Sequence, residues 1–125
     1  MAHQHSPRFL KLVEDSKAAI REISAQELTK KLERNDKFYL IDVREADEYA
    51  KGRIPGATHL CKGIIERDIE TTAPDTNAEI VLYCGGGFRS ALAAESLQKM
   101  GYSRVLSLAG GWRGWTEGGF KIEKP

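Results

Sequence analysis

At 125 residues, with 41% hydrophobic and 30% charged content, the chain is sized for one core rather than two. Lys and Arg total 19 against 18 Asp and Glu, a formal charge of +1 with the signs interleaved, which excludes a basic nucleic-acid surface or a basic membrane helix. No apolar run approaches the roughly 20 residues of a membrane span, and the N-terminal stretch lacks the apolar core of a secretory signal, so the expected location is cytoplasmic.

In chain order, Ser6-Pro7 offers an N-cap with proline at the first helical position, opening a short helix with Phe9, Leu10 and Val13 on its apolar face. Residues 1–19 are read as an N-terminal extension and 20–125 as the domain. "IREI" is a short strand. Ser24 to Glu27 has the form of a capping box, starting a helix that carries Leu28 and Leu32 and breaks at Asn35-Asp36. "KFYLIDV" is an apolar, β-rich run suited to a buried strand. "READEYAKG" reads as a helix closed by Gly52, "RIPGA" as a turn, "THL" as a brief strand and "KGIIERDIE" as one or two helical turns. After the polar "TTAPDTNAE", "IVLYC" is the clearest strand. The helix beyond it places Ala93, Leu97 and Met100 on one face. "RVLSL" is the last strong strand, before "AGGWRGWTEGG" turns into a C-terminal helix. Strands alternating with helices predict an α/β fold: one domain, a central parallel sheet and helices on both faces.

Cys61 and Cys84 form no CxxC pair, and His59 has no partner at ligand spacing, while His3 and His5 fall in a polar terminus expected to fray. No metal, cofactor or disulfide framework is expected on those spacings.

The stretch "VLYCGGGFRSALAAESLQKMG" carries the chemistry. Cys84 ends a strand where open α/β sheets bind ligands. Gly85, Gly86 and Gly87 permit positive φ, so successive N–H groups can point into one concavity. The following helix start and Arg89 add positive potential. Such surroundings lower a thiol's pKa from about 8.5 to roughly 3.5–7.5, which makes Cys84 a candidate nucleophile. Arg89 could hold the thiolate or the anionic end of a substrate. A small buried residue in a packing loop is the plainer alternative for Cys84.

Four stretches give the chain a wider resemblance: "YLIDVREADEYAKGRIPGATHL", "KGIIERDIE", "VLYCGGGFRSALAAESLQKMGYSRV" and "LAGGWRGW". In this order, from about Ile20 to Phe120, they resemble the rhodanese family of thiosulfate sulfurtransferases and their single-domain relatives. The resemblance implies a single rhodanese-like domain in which Cys84 carries sulfur as a persulfide. Thiosulfate or a related donor would supply the sulfur, and cyanide or a small-molecule or protein thiol would accept it. No nucleic acid or membrane partner is implied. The loop's N–H groups would stabilise the anions without a histidine base, and His59 is the histidine with a route to the site.

Cys84 to Arg89 has C-x4-R spacing, one residue shorter than the loop of related dual-specificity phosphatases. A shorter cradle suits a sulfur atom better than a phosphoryl group, so a cysteine-dependent phosphatase or arsenate reductase is the third reading. The second is a sulfur-carrier or protein-binding module without turnover. Arg53 replaces a histidine common in the family and is read as a surface residue, with approach to the mouth as the alternative. A loop of Gly-Gly-Gly-Phe leaves donor selectivity to its rim.

Several residues carry two readings each. Asp42 and Arg44 are read as structural support, a pair holding adjacent loops, rather than as the substrate mouth. Arg67, and more weakly Lys62, could bind substrate anions or lie on a solvated helix face. Phe88 could wall the thiol or cover the helix start. Trp112 and Trp115 read as core and rim packing. Cys61 could resolve the persulfide, although nothing in its sequence surroundings marks it as activated.

Overall fold

The computed structural model describes residues 5–125, so the His3 reading lies outside the described residues. Five strands, β1 (Arg21–Ile23), β2 (Tyr39–Asp42), β3 (Thr58–His59), β4 (Glu79–Tyr83) and β5 (Arg104–Leu108), form one sheet in the order β1-β5-β4-β2-β3. Every pairing is parallel, as the alternation of strands and helices predicts. The helices are α1 (Pro7–Ala19), α2 (Ala25–Glu33), α3 (Ala46–Lys51), α4 (Ile65–Thr72), α5 (Phe88–Lys99) and α6 (Gly111–Glu117). A 3-10 turn, Lys62–Ile64, leads into α4.

The central strand β4 shows why the sheet is covered on both sides. Its side chains alternate between faces. Ile80 and Leu82 join Ile65, Ile69, Ala93 and Leu97 from α4 and α5, while Val81 and Tyr83 join Leu28 and Trp115 from α2 and α6. Ile80, Val81, Leu82 and Tyr83 are all fully buried, so the strand reads as a continuous apolar run rather than an alternating one.

Local signals act as the sequence implies at the start of α2, where the Glu27 N–H donates to Ser24 Oγ and the Ser24 N–H donates to Glu27 Oε1. Asn35 then takes φ 57° and ends the excursion. Two expected apolar faces need correction. On α1 the buried residues are Val13 and Ser16, while Leu10 is 42% exposed. The inward face of α1 meets α5 partly through a polar bond, Ser16 Oγ donating to Glu95 at 2.8 Å. Met100 is the C-cap of α5 and is exposed, because the chain turns away through Gly101 at φ 100°.

Candidate active site

β4 delivers Cys84 to the carboxyl edge of the sheet, and α5 begins three glycines later. The Cys84 side chain is buried at 1% exposure and is surrounded by polar hydrogen. The Gly87 N–H donates to Sγ at 3.1 Å and the Ser90 N–H at 3.3 Å. The thiol itself donates to Ser90 Oγ at 3.5 Å. Ser90 Oγ lies 2.8 Å from Ser107 Oγ on β5, and both serines are fully buried. Either hydroxyl of this pair can be the donor. On ionisation of the sulfur, Ser107 can therefore donate to Ser90 while Ser90 turns its own hydrogen toward Sγ. The site holds donors for a sulfur anion before any substrate arrives.

The loop is held from outside by α6. The Trp112 N–H donates to the Cys84 carbonyl at 2.7 Å, and the Arg113 N–H to the Gly85 carbonyl at 2.9 Å. That approach requires Gly111, because a β-carbon there would lie 2.5 Å from the Cys84 carbonyl oxygen. The expectation of positive φ across the three loop glycines is corrected, since Gly87 alone adopts it, at 95°. Gly85 matters instead for space, as a β-carbon would come 3.1 Å from the Arg89 guanidinium.

A cavity of about 450 Å³ opens over the sulfur, and Cys84, Gly85, Gly86, Phe88 and Arg89 form its floor and one side. Glu48 from α3 and Arg113 from α6 supply opposite charges, and His5 and Phe9 from the N-terminal segment complete the lining. Arg89 is tied to Glu48 by two hydrogen bonds, at 3.0 and 3.3 Å. The bond to Glu48 raises the Arg89 pKa, against desolvation and helped by the charges of Cys84 and Glu48. Burial alone would raise the Glu48 pKa, but bonds from Arg89 and the Glu45 N–H outweigh it and hold the carboxyl below its ordinary range. Arg113 has no ion pair among the described residues.

The other expected residues lie elsewhere. Asp42 and Arg44 form a buried bidentate pair, with Arg44 Nη2 also donating to the Gly52 carbonyl at 2.6 Å. Neither lines the cavity. Arg67 and Lys62 do not line it either: Arg67 is paired with its neighbour Asp68 in solvent, and Lys62 starts the 3-10 turn. Cys61 is free and partly exposed, and is not among the cavity residues. Arg53 is partly buried, bonded to Glu123 and to the Tyr49 carbonyl. Trp115 is core, stacked on Phe120, and the Trp112 ring lies beneath the Arg44 guanidinium.

The histidine expectation is reversed. His59 stacks on Tyr49 and bonds the Arg44 carbonyl, whereas His5 packs its ring against Phe88 at the cavity. A terminus that packs on α5 carries it there. Ser90, Ser107, Glu48, Arg113 and Phe9 also escape the sequence reading. Ser90 carried a local signal, because an N–H in the first turn after a helix-start loop points back toward that loop. The others meet the cysteine only through tertiary packing.

A rhodanese-like domain model matches residues 24–118, and the chain belongs to that family. It is 40% identical over 96 residues to the putative sulfurtransferase YtwF of Bacillus subtilis, covering 77% of this chain and 90% of that protein. It is 33% identical over 102 residues to the putative sulfur carrier protein YrkF of the same organism, covering 82% of this chain but spanning only 54% of YrkF. A solved Rhodopseudomonas palustris structure, of unknown function and described as a possible tyrosine phosphatase, superposes with a TM-score of 0.83 at 26% identity, covering 98% of this chain and 99% of that one. No helix among the described residues is long and apolar enough to cross a membrane.

Proposed function

We propose that the protein is a sulfurtransferase that carries sulfane sulfur as a Cys84 persulfide. One observation carries the reading: Cys84 Sγ receives two backbone N–H donors and faces a hydroxyl pair, at the floor of a cavity that also contains two arginines.

After the thiol proton leaves to solvent, the thiolate attacks the outer sulfur of thiosulfate. A new S–S bond forms to Cys84, and the S–S bond of thiosulfate breaks with its electron pair on departing sulfite. In the second half, cyanide or a thiolate attacks the outer persulfide sulfur and leaves Cys84 again as thiolate. Both anions of the cysteine occupy the same donor cradle, so no base need move between steps. Gly85, Gly86 and Gly87 shape the cradle, Phe88 walls it, and Arg89 adds positive potential. Asp42 and Arg44 act as structural support, holding the neighbouring segment through the Gly52 carbonyl. The two free thiols favour a reducing compartment, which supports a cytoplasmic location.

Intact-mass measurement after thiosulfate treatment tests the reading. The expected result is a gain of one sulfur, reversed by cyanide and absent in Cys84→Ser. The likeness to YrkF supports a second reading, a carrier that loads but does not turn over, and steady-state thiocyanate production separates the two. Hydrolysis of an aryl phosphate, with no sulfur adduct, would sink both. The C-x4-R spacing supports the opposite outcome.

A further inference from the structure

A second cavity lies away from the cysteine loop. It measures about 620 Å³, and none of its lining residues borders the cavity over Cys84. α2 contributes Thr29, Leu32 and Glu33, α6 contributes Trp115, and the chain beyond α6 contributes Phe120 and Lys121. The turn before β3 completes the lining with Pro55.

The interior is apolar and aromatic. Trp115 and Phe120 stack with ring centroids 4.8 Å apart, and Leu32 packs in the same core cluster. The Trp115 indole N–H is already satisfied, donating to the Lys121 carbonyl at 2.7 Å. Thr29 differs, because its Oγ1 is wholly buried and has no hydrogen-bond partner among the described residues. Native interiors rarely leave a buried hydroxyl unpaired, since the group has given up its bonds to water. Threonine in a helix divides between two χ1 rotamers. Rotation exchanges its methyl and hydroxyl, and so can turn the hydroxyl toward an acceptor in the cavity that Thr29 lines.

Charge and size narrow the ligand. Glu33 and Lys121 put one charge of each sign on the lining, and neither forms an ion pair among the described residues. Together they select no net charge, and the apolar walls oppose the desolvation of an ion. Pockets of about 300–1,000 Å³ hold organic molecules, usually against apolar walls with a few polar groups that orient them.

We infer that this cavity binds a neutral aromatic molecule carrying a hydroxyl or carbonyl oxygen. The ring lies against Phe120 and Leu32, and the oxygen accepts a hydrogen bond from Thr29. This site is separate from the sulfur chemistry and does not rest on the sulfurtransferase reading.

Phenol and toluene are suitable probes, since they have nearly the same shape and differ in the oxygen. Phenol is uncharged at neutral pH. Titrated into the isotope-labelled full chain, it should move the Thr29 amide and Trp115 Nε1–H resonances with a Kd of about 1 mM, the scale for so small a ligand. Toluene should bind about fivefold more weakly, the worth of one net hydrogen bond. A cavity with no polar partner gives the reverse order, because phenol then loses its bonds to water without replacement. Thr29→Val keeps the shape and removes a hydroxyl that makes no bond, so the protein should stay folded while the order reverses. Thr29→Ser should retain the preference for phenol. Toluene binding as tightly as phenol, no binding of phenol, or a phenol preference that survives Thr29→Val would each overturn the inference. So would phenol shifts confined to the amides of Gly85, Gly86 and Gly87, which would put the probe over Cys84 instead.

Discussion

Two arginine–carboxylate pairs stand at the carboxyl edge of the sheet, and they differ in how much water reaches them. Asp42 and Arg44 are 0% and 3% exposed. The Arg44 guanidinium lies 4.6 Å over the Trp112 ring and also binds the Gly52 carbonyl. Burial opposes its charge, but the hydrogen bonds and charge of Asp42 more than offset this, and its pKa is raised. Arg89 and Glu48 are similarly bonded but 33% and 36% exposed. Water screens the outer pair, so it can exchange partners when an anion arrives. The inner pair has no such alternative. Identical chemistry thus builds a fixed beam in one place and an adjustable charge in the other.

Breaking the inner pair should have the largest effect. Asp42→Ala strands a buried guanidinium, and the loss of one partner of a buried pair costs about 3–5 kcal/mol. Urea unfolding monitored by tryptophan fluorescence should show a loss of that size. A change under about 1 kcal/mol would mean that Arg44 finds water or another acceptor. Next in size is Gly111→Ala, which acts on the clamp between α6 and the cysteine loop. The new β-carbon would meet the Cys84 carbonyl oxygen at 2.5 Å, on a residue at φ 55°. Strain of this kind costs about 1–3 kcal/mol, and relief requires the loop to shift. Stability should fall by that amount and the persulfide loading rate should fall with it. Loss of stability with an unchanged loading rate would show that the sulfur cradle is independent of α6.

The same contrast explains what the sequence makes legible. The sheet and the cysteine loop follow from short-range signals: the β-rich runs "YLID" and "EIVLY", the Ser24–Glu27 box, and a cysteine ahead of glycines and a helix. Asp42 and Arg44, two residues apart, could also be read as a pair from the sequence. Glu48 and Arg89 are separated by 41 positions and meet only because β2 and β4 are neighbours in the sheet. Ser107 reaches Ser90 by the same route, from β5. Residues 5–17 were the least legible. Their apolar positions fit several amphipathic registers, and the observed one depends on Ser16 meeting Glu95 and on Phe88 offering a ring. The side chains that fill the rim are therefore the part hidden from local reading.

A smaller effect is expected at the outer pair. Glu48→Gln keeps an acceptor for the Glu45 N–H but removes the charge that compensates Arg89. The KM for thiosulfate should fall by about two- to threefold as Arg89 becomes available to the anion. A raised KM would show that Glu48 positions Arg89 rather than masking it. Stability should change by less than about 1 kcal/mol, since both groups are about a third exposed. The pH dependence has a definite sign. The folded Glu48 pKa lies below its ordinary value of 4.5, so its contribution is complete above that value and is lost as pH falls through the lower, folded one. The small stability gap between the two proteins should be constant near neutrality and close under acid.

The smallest effect belongs to a third pair, Arg67–Asp68, on α4. Their side chains are 73% and 36% exposed, and the bonds run between adjacent residues, at 2.8 and 3.0 Å. A neighbour pair in water fixes no other element, and Arg67 does not line the cavity. Its side chain stands in solvent, where screening with a Debye length of about 8 Å at physiological ionic strength weakens its influence on the site. Arg67→Ala should therefore leave kcat/KM for thiosulfate within about twofold at that ionic strength. A loss of tenfold or more would restore Arg67 as an anion contact and would mean that α4 moves toward Cys84 when substrate binds.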